Sequence, residues 1–187
     1  AAVKNVGEIA VESILKARNE NGKFKSLFDL CERVDTRTVN KKTLEALIKT
    51  GAFDNFGQTR ATMFSQIERA LARAASIQSD KQRGQSSLFG ALEDKVPQKI
   101  DSEKQLTEWP QHELLAYEKE LLGFYVTGHP LTPFAPLLEK FSLHTTAKLM
   151  EVPNRSMTRI GGMIAAAQHG FSKKSGKPYS MVTLEDL

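Results

Sequence analysis

Apolar positions recur every three to four residues through the first 77 residues, the period of helices that bury one face. Asn5 and Glu8 stand at capping-box spacing ahead of Ile9, Val11, Ile14 and Leu15, so a helix is predicted to open at Asn5. Asn19-Glu20-Asn21-Gly22 breaks that stripe. Ser26 is placed to cap a short helix carrying Leu27, Leu30 and Cys31. A third helix opens at Asn40, carries Leu44, Leu47 and Ile48, and stops at Gly51, a residue suited to the left-handed step past a helix end. A fourth starts near Thr59 and lines up Met63, Phe64, Ile67, Leu71 and Ala74 on one side. Together these stripes predict one compact helical unit over residues 1–77.

Beyond Ile77 the pattern lapses. Residues 78–84 are polar, Gln85-Ser86-Ser87-Leu88-Phe89 is a small apolar island, and residues 93–108 are acidic without a period, so 78–108 reads as a linker. Helical spacing returns from Pro110, a good first-turn residue, through Leu114, Leu115, Leu121 and Leu122. Gly128-His129-Pro130 is expected to end that helix, and 131–141 to form another short one, making 109–156 a helical connector. From Thr158 the period becomes two: Ile160, Met163 and Ile164, then the basic turn Lys173-Lys174-Ser175-Gly176-Lys177, then Tyr179, Met181, Val182 and Leu184. The expected class is therefore mainly α: a small helical bundle, a linker, a second helical segment, and an incomplete strand pair over 157–187.

Composition narrows the setting. Forty per cent hydrophobic and 26% charged residues support a packed core, and no apolar run reaches the length of a membrane-spanning helix. Cys31 has no second cysteine to pair with, which fits a reducing, cytoplasmic setting. The first residue is Ala rather than Met, which predicts an internal segment of a longer protein. The net charge of +4 lies wholly in residues 1–77, where 13 Lys/Arg face 9 Asp/Glu; residues 78–187 hold 13 of each. A positive balance confined to the predicted bundle permits nucleic acid without proving it.

Catalysis finds no support in the pattern. Nucleotidyl transfer needs carboxylates converging on metal ions about 3.5–4 Å apart. Glu118 and Glu120 stand two apart on a helix and diverge, while Glu185 and Asp186 are strand neighbours facing opposite ways. His112, His129, His144 and His169 show no metal-ligand spacing. No catalytic residue, metal ligand or cofactor is expected.

Three features point instead to binding. Lys4-Asn5-Val6-Gly7-Glu8 leads into one helix, and Lys49-Thr50-Gly51-Ala52-Phe53-Asp54 joins two. Glycine beside a helix end can leave backbone N–H groups open to a phosphate, with Lys4, Lys49 and Arg60 adding charge. The pattern resembles the helix-hairpin-helix, which grips duplex backbone without reading bases; the same residues also read as two ordinary helix caps. The candidate DNA contacts are Lys4, Asn5, Gly7, Lys49, Thr50, Gly51 and Arg60. Leu88 and Phe89, framed by Gly84 and Gly90, need a pocket, either on a partner or on the chain's own helices. The last feature, the strand–turn–strand, could open an OB-fold with Lys173, Lys174 and Lys177 as candidate single-strand contacts and Phe171 and Tyr179 beside them, or could be a plain hairpin.

In combination and order, several stretches resemble the C-family replicative DNA polymerase alpha subunit of bacteria, the alpha subunit of polymerase III, past its fingers domain. They are Val3-Lys4-Asn5-Val6-Gly7-Glu8, Phe28-Asp29-Leu30-Cys31, Leu47-Ile48-Lys49-Thr50-Gly51-Ala52-Phe53-Asp54 and Glu120-Leu121-Leu122-Gly123-Phe124-Tyr125. Thr127-Gly128-His129-Pro130-Leu131 and Val182-Thr183-Leu184-Glu185-Asp186 complete the set. The resemblance implies a tandem helix-hairpin-helix holding duplex DNA, with Gln85, Ser86, Ser87, Leu88 and Phe89 docking the ring-shaped sliding clamp. It implies an OB domain near single-stranded template, cut here after about two of its five strands. The family's catalytic aspartates lie upstream, and no position here matches them. Ser86 and Ser87 depart from the Leu or Asp that stronger clamp ligands often carry. Other replisome subunits are implied partners, a membrane is not, and the implied location is the bacterial cytoplasm at the nucleoid. A helix-hairpin-helix module of a repair or recombination protein is the nearest alternative, and a protein-interaction scaffold is the next.

Overall fold

The computed structural model describes residues 3–82 and 105–187, the side chains of 80–82 excepted. Six α-helices are present among them: α1 (Glu8–Asn21), α2 (Leu27–Arg33), α3 (Lys41–Lys49), α4 (Arg60–Gln82), α5 (Gln111–Leu122) and α6 (Ala135–Phe141). Short 3-10 turns fall at Asp54–Phe56, Thr132–Phe134 and Thr146–Glu151, and strands β1 (Met163–Phe171) and β2 (Pro178–Glu185) close the order. No helix among the described residues is long and apolar enough to cross a membrane. The chain forms two compact units, residues 1–125 and 126–187.

The first unit is built on α4, which packs against α2 and α3. Leu27, Leu30, Leu44, Ile48, Met63 and Ile67 are sealed between these helices. Each such side chain contributes about 1.5–3 kcal/mol on leaving water. Cys31 lies in the same core, and burial, with the Glu32 carboxylate adding to it, pushes its thiol up to about 12. The expected caps of α2 and α3 form: Ser26 accepts from the Asp29 N–H, and Asn40 accepts from the Thr43 N–H. α4 starts where expected, and the Thr59 hydroxyl accepts from the Thr62 N–H.

Four expectations are corrected in this unit. α1 opens at Glu8 with Gly7 as its cap residue and no side-chain cap bond, so the Asn5–Glu8 capping box does not form. Asn5 instead takes a left-handed φ of 69°, because the Lys4 N–H donates to the Leu121 carbonyl and the Val6 N–H to that of Val3, closing a tight turn. α5 stops at Gly123, left-handed at φ 87°, well before Gly128-His129-Pro130. The helical unit does not end near residue 77 either: α5 packs on α3, with Leu114, Leu115 and Leu121 buried, so the helix set apart as a connector is part of the bundle. The linker is likewise shorter than expected at its far end, since residues 105–109 are bonded to the start of α4. The Leu106 N–H donates to Thr62 Oγ1 at 2.9 Å, and the Gln105 amide donates to the Gly57 carbonyl at 3.0 Å.

In the second unit β1 and β2 pair antiparallel, with Gly170 opposite Tyr179 and Phe171 opposite Pro178. The irregularity between Ile164 and Ala166 is a bulge in this ribbon. Among the described residues the sheet has these two strands alone, and most of their side chains are exposed on both faces. The Asp186 carboxylate ties the end of β2 to the 3-10 turn through the Thr146 N–H and hydroxyl, which hold its pKa below the usual value.

Candidate nucleic-acid interface

The two helix-leading turns have different physics. The second, after α3, is closed on itself. The Ala52 N–H donates to the Leu47 carbonyl at 3.0 Å and the Gly51 N–H to that of Ile48 at 3.0 Å, the paired bonds of a Schellman motif. Gly51 sits at φ 78°, and a Cβ there would meet Arg60 Nη2 at 2.2 Å and Asp54 Oδ2 at 2.7 Å. The Thr50 hydroxyl donates back to the Ala46 and Leu47 carbonyls. Donors that the sequence pattern offered to a phosphate are thus engaged within the protein.

Arg60 is also placed differently from the expectation. It is 4% exposed, and its guanidinium donates to Asp54 at 2.9 and 2.7 Å, to the Lys49 carbonyl at 3.2 Å and to Glu118 at 3.1 Å. Burial works against the charge, but the hydrogen bonds and attraction of Asp54 and Glu118 outweigh it and hold the guanidinium more firmly protonated. Arg60 therefore stitches the turn to α5 and is not a surface cation. Lys49 is half-buried, its Nζ 4.5 Å from the Tyr117 ring centre and 5.4 Å from that of Phe64. Trp109 meets both rings edge-on, completing an aromatic wall around the lysine.

The first turn is open. Lys4, Asn5 and Gly7 are exposed, no side chain caps α1, and no atom lies within 4 Å of where a Gly7 Cβ would stand. Val6 beneath them is buried with Ala46 and Leu121, anchoring the turn to α3 and α5. The α1 N-terminus is thus without a side-chain cap, and both the Lys4 ammonium and the Glu8 carboxylate of the helix's first turn are exposed there.

Several residues that define this region were missed in the sequence. Glu108 accepts from the Arg60 and Ala61 N–H groups at 2.7 and 3.1 Å, capping α4 from 48 residues away in sequence, a long-range cap that no local pattern encodes. Glu118 was legible: it stands with Leu114, Leu115 and Leu121 on the apolar stripe of α5, where a carboxylate requires a buried partner. In the second unit Lys173, Lys174 and Lys177 are exposed on the hairpin turn, as their pattern predicts. Phe171 and Tyr179 do not make a shared platform, since register puts them on opposite faces of the ribbon, with Tyr179 covering Gly170. Residues Gln85, Ser86, Ser87, Leu88 and Phe89 lie outside the described residues.

Residues 1–63 match the helix-hairpin-helix motif family. The DNA polymerase III alpha subunit of Borreliella burgdorferi is 36% identical over 186 residues, and that of Vibrio cholerae 38% identical over 190, each match covering 99% of this chain. The alpha subunit of Escherichia coli K12 is 36% identical over 186 residues. This chain matches one segment of the bacterial DNA polymerase III alpha subunits. The resemblance read from the sequence motifs is borne out. The segment spans 16% of the length of these polymerase alpha subunits. Among the described residues no group of three or more His, Cys, Asp or Glu is arranged to hold a metal ion.

Proposed function

We propose that this segment serves a bacterial replicative polymerase as a non-catalytic DNA-holding element, gripping duplex backbone without reading sequence. The observation that carries the reading is the match to polymerase III alpha subunits over 99% of the chain, with a helix-hairpin-helix match at its start. The open turn at residues 4–7 is the phosphate-facing part, through the α1 N–H groups and Lys4. The locked turn at residues 49–54 shapes the bundle and orients the first. Lys173, Lys174 and Lys177 are a secondary, single-strand contact that a complete barrel would be needed to strengthen. The setting is the cytoplasm, at the nucleoid, with other replisome subunits nearby.

The second part of the proposal is clamp docking by residues 85–89, which rests on their sequence: two large apolar residues and a leading glutamine inside a polar stretch. One copy binds weakly, and simultaneous DNA contact raises its effective concentration.

Two measurements test these parts separately. Affinity for two unrelated duplexes should be equal and fall steeply with salt; preference for one sequence would mean base readout and a different module. Leu88→Ala with Phe89→Ala should abolish capture by the sliding clamp and leave duplex binding unchanged. Undiminished capture would refute the docking reading.

A further inference from the structure

The match to the helix-hairpin-helix motif ends at residue 63, yet both helix-leading turns are held by α5, which lies beyond it. Glu118 and Leu121 stand three apart on α5, so one face of that helix carries both. Glu118 accepts from the Arg60 guanidinium at 3.1 Å and so grips the turn at residues 49–54, which Arg60 also bonds through Asp54 and the Lys49 carbonyl. Further along the same face, the Leu121 side chain is buried with Val6 and Ala46, and its carbonyl accepts from the Lys4 N–H at 2.9 Å. The last carbonyls of a helix have no partner within it; this one is met by the turn at residues 4–7.

Where α5 ends decides what that carbonyl can accept. Gly123 takes a left-handed φ of 87°, and its N–H donates to the Lys119 carbonyl at 3.1 Å, which closes the helix. A helix continued past this point would commit the Leu121 carbonyl to the N–H four residues on, that of Tyr125, and take it from Lys4. Gly123 is exposed and nothing lies within 4 Å of where its Cβ would stand, so the position demands glycine for backbone angle alone. Burial of Leu114, Leu115 and Glu118 would fasten α5 to the bundle without the Lys4 bond, which is made at an exposed turn. We infer that α5 is a positioning element of the DNA-holding site: its end, fixed by Gly123, sets where the Lys4 turn meets duplex backbone. Gly123 and Leu121 are then positioning residues for that contact. The inference rests on the reading of residues 4–7 as the phosphate-facing turn.

The test uses the full chain, a mixed-sequence DNA duplex and two readouts: hydrogen exchange of the Lys4 amide, and the slope of log affinity against log salt. Lys4→Ala should flatten the slope by about one unit. Gly123→Val puts a branched residue where φ is left-handed, so it should strip the Lys4 amide of protection and flatten the slope to the same extent. Gly123→Asn, a residue that tolerates this φ, should keep both readouts at the values of the unaltered chain. Lys4→Ala combined with Gly123→Val should be no flatter than either alone, because both remove one contact. Trp109 emission checks that each variant is folded where binding is measured, and Gly123→Ala asks the same question with less strain if Gly123→Val does not fold. A native slope in Gly123→Val, where Lys4→Ala flattens it, overturns the inference and leaves the DNA-holding reading standing. So does a double variant flatter than either single one, since α5 would then act elsewhere than at Lys4. Unchanged protection of the Lys4 amide in Gly123→Val overturns it as well. If Lys4→Ala itself leaves the slope unchanged, the DNA-holding reading of this turn fails and the inference falls with it.

Discussion

The turn at residues 4–7 and the turn at residues 49–54 look alike as sequence, each a lysine followed within three residues by a glycine beside a helix end. In the folded chain both turns are held by two backbone bonds, but one leaves its helix without a side-chain cap and faces solvent, whereas the other is also covered by a buried arginine and an aromatic wall. The lesson concerns where donors go. A glycine next to a helix end can free N–H groups for a ligand, or can let the helix close on itself, and the φ angle with its partners distinguishes the two. Gly7 has an ordinary φ of −74° and open space, whereas Gly51 has φ 78° and two side chains over it.

The largest expected effect lies in the locked turn. Glu118→Ala leaves a buried guanidinium with one carboxylate instead of two, and losing a buried hydrogen bond between charged groups costs about 1.5–3 kcal/mol. Arg60 and Glu118 are 4% and 0% exposed, so solvent screening does little to reduce this. Trp109 is the only tryptophan and sits in this unit, so denaturant unfolding followed by its emission reads the helical bundle selectively. The matching change in the open turn, Lys4→Ala, should stay within about 0.5 kcal/mol. Similar losses from both would erase the distinction.

Glycine replacement comes next. Gly51→Ala should cost about 1–3 kcal/mol, since a left-handed φ penalises any Cβ and the Arg60–Asp54 pair must also move. Gly7→Ala meets no atom and should be close to neutral for stability. Glu108→Ala removes the long-range cap of α4 and should cost about 1 kcal/mol, the usual worth of an N-cap. A neutral Glu108→Ala would show that residues 105–109 do not hold the bundle's far side.

The helices were legible because periodicity and caps are local. Ser26, Asn40 and Gly51 each act within a few residues of themselves, and each stands in the structure as its spacing predicts. What failed was longer in range. The inclusion of α5 in the bundle depends on Glu118 finding Arg60 across 58 residues, and the cap of α4 on Glu108. In the candidate site, the spacing that offered Lys49, Thr50, Gly51 and Arg60 as backbone-phosphate donors carries no information about their partners in the fold. Asp54 and Glu118 hold Arg60, Tyr117 and Phe64 flank Lys49, and the Thr50 hydroxyl and Gly51 N–H bond back to carbonyls of α3. The resemblance to the polymerase alpha subunits succeeded for a different reason: it rests on order across the whole chain, not on any single turn.

The smallest effect is the sharpest test of the comparison, because it asks which turn meets DNA. If the open turn carries the phosphate contact, Lys4→Ala should weaken duplex binding by less than about tenfold and flatten the dependence of log affinity on log salt by about one unit. Lys49→Ala removes a cation already held against Tyr117 and Phe64, so it should leave that slope unchanged while lowering stability by about 0.5–1 kcal/mol, the worth of an accessible cation–π contact. Measuring slopes instead of affinities separates the two cases, since partial unfolding scales all affinities alike and leaves the slope in place. An equal loss of slope for both lysines would mean that the aromatic wall releases Lys49 when DNA arrives, and that the locked turn opens on binding.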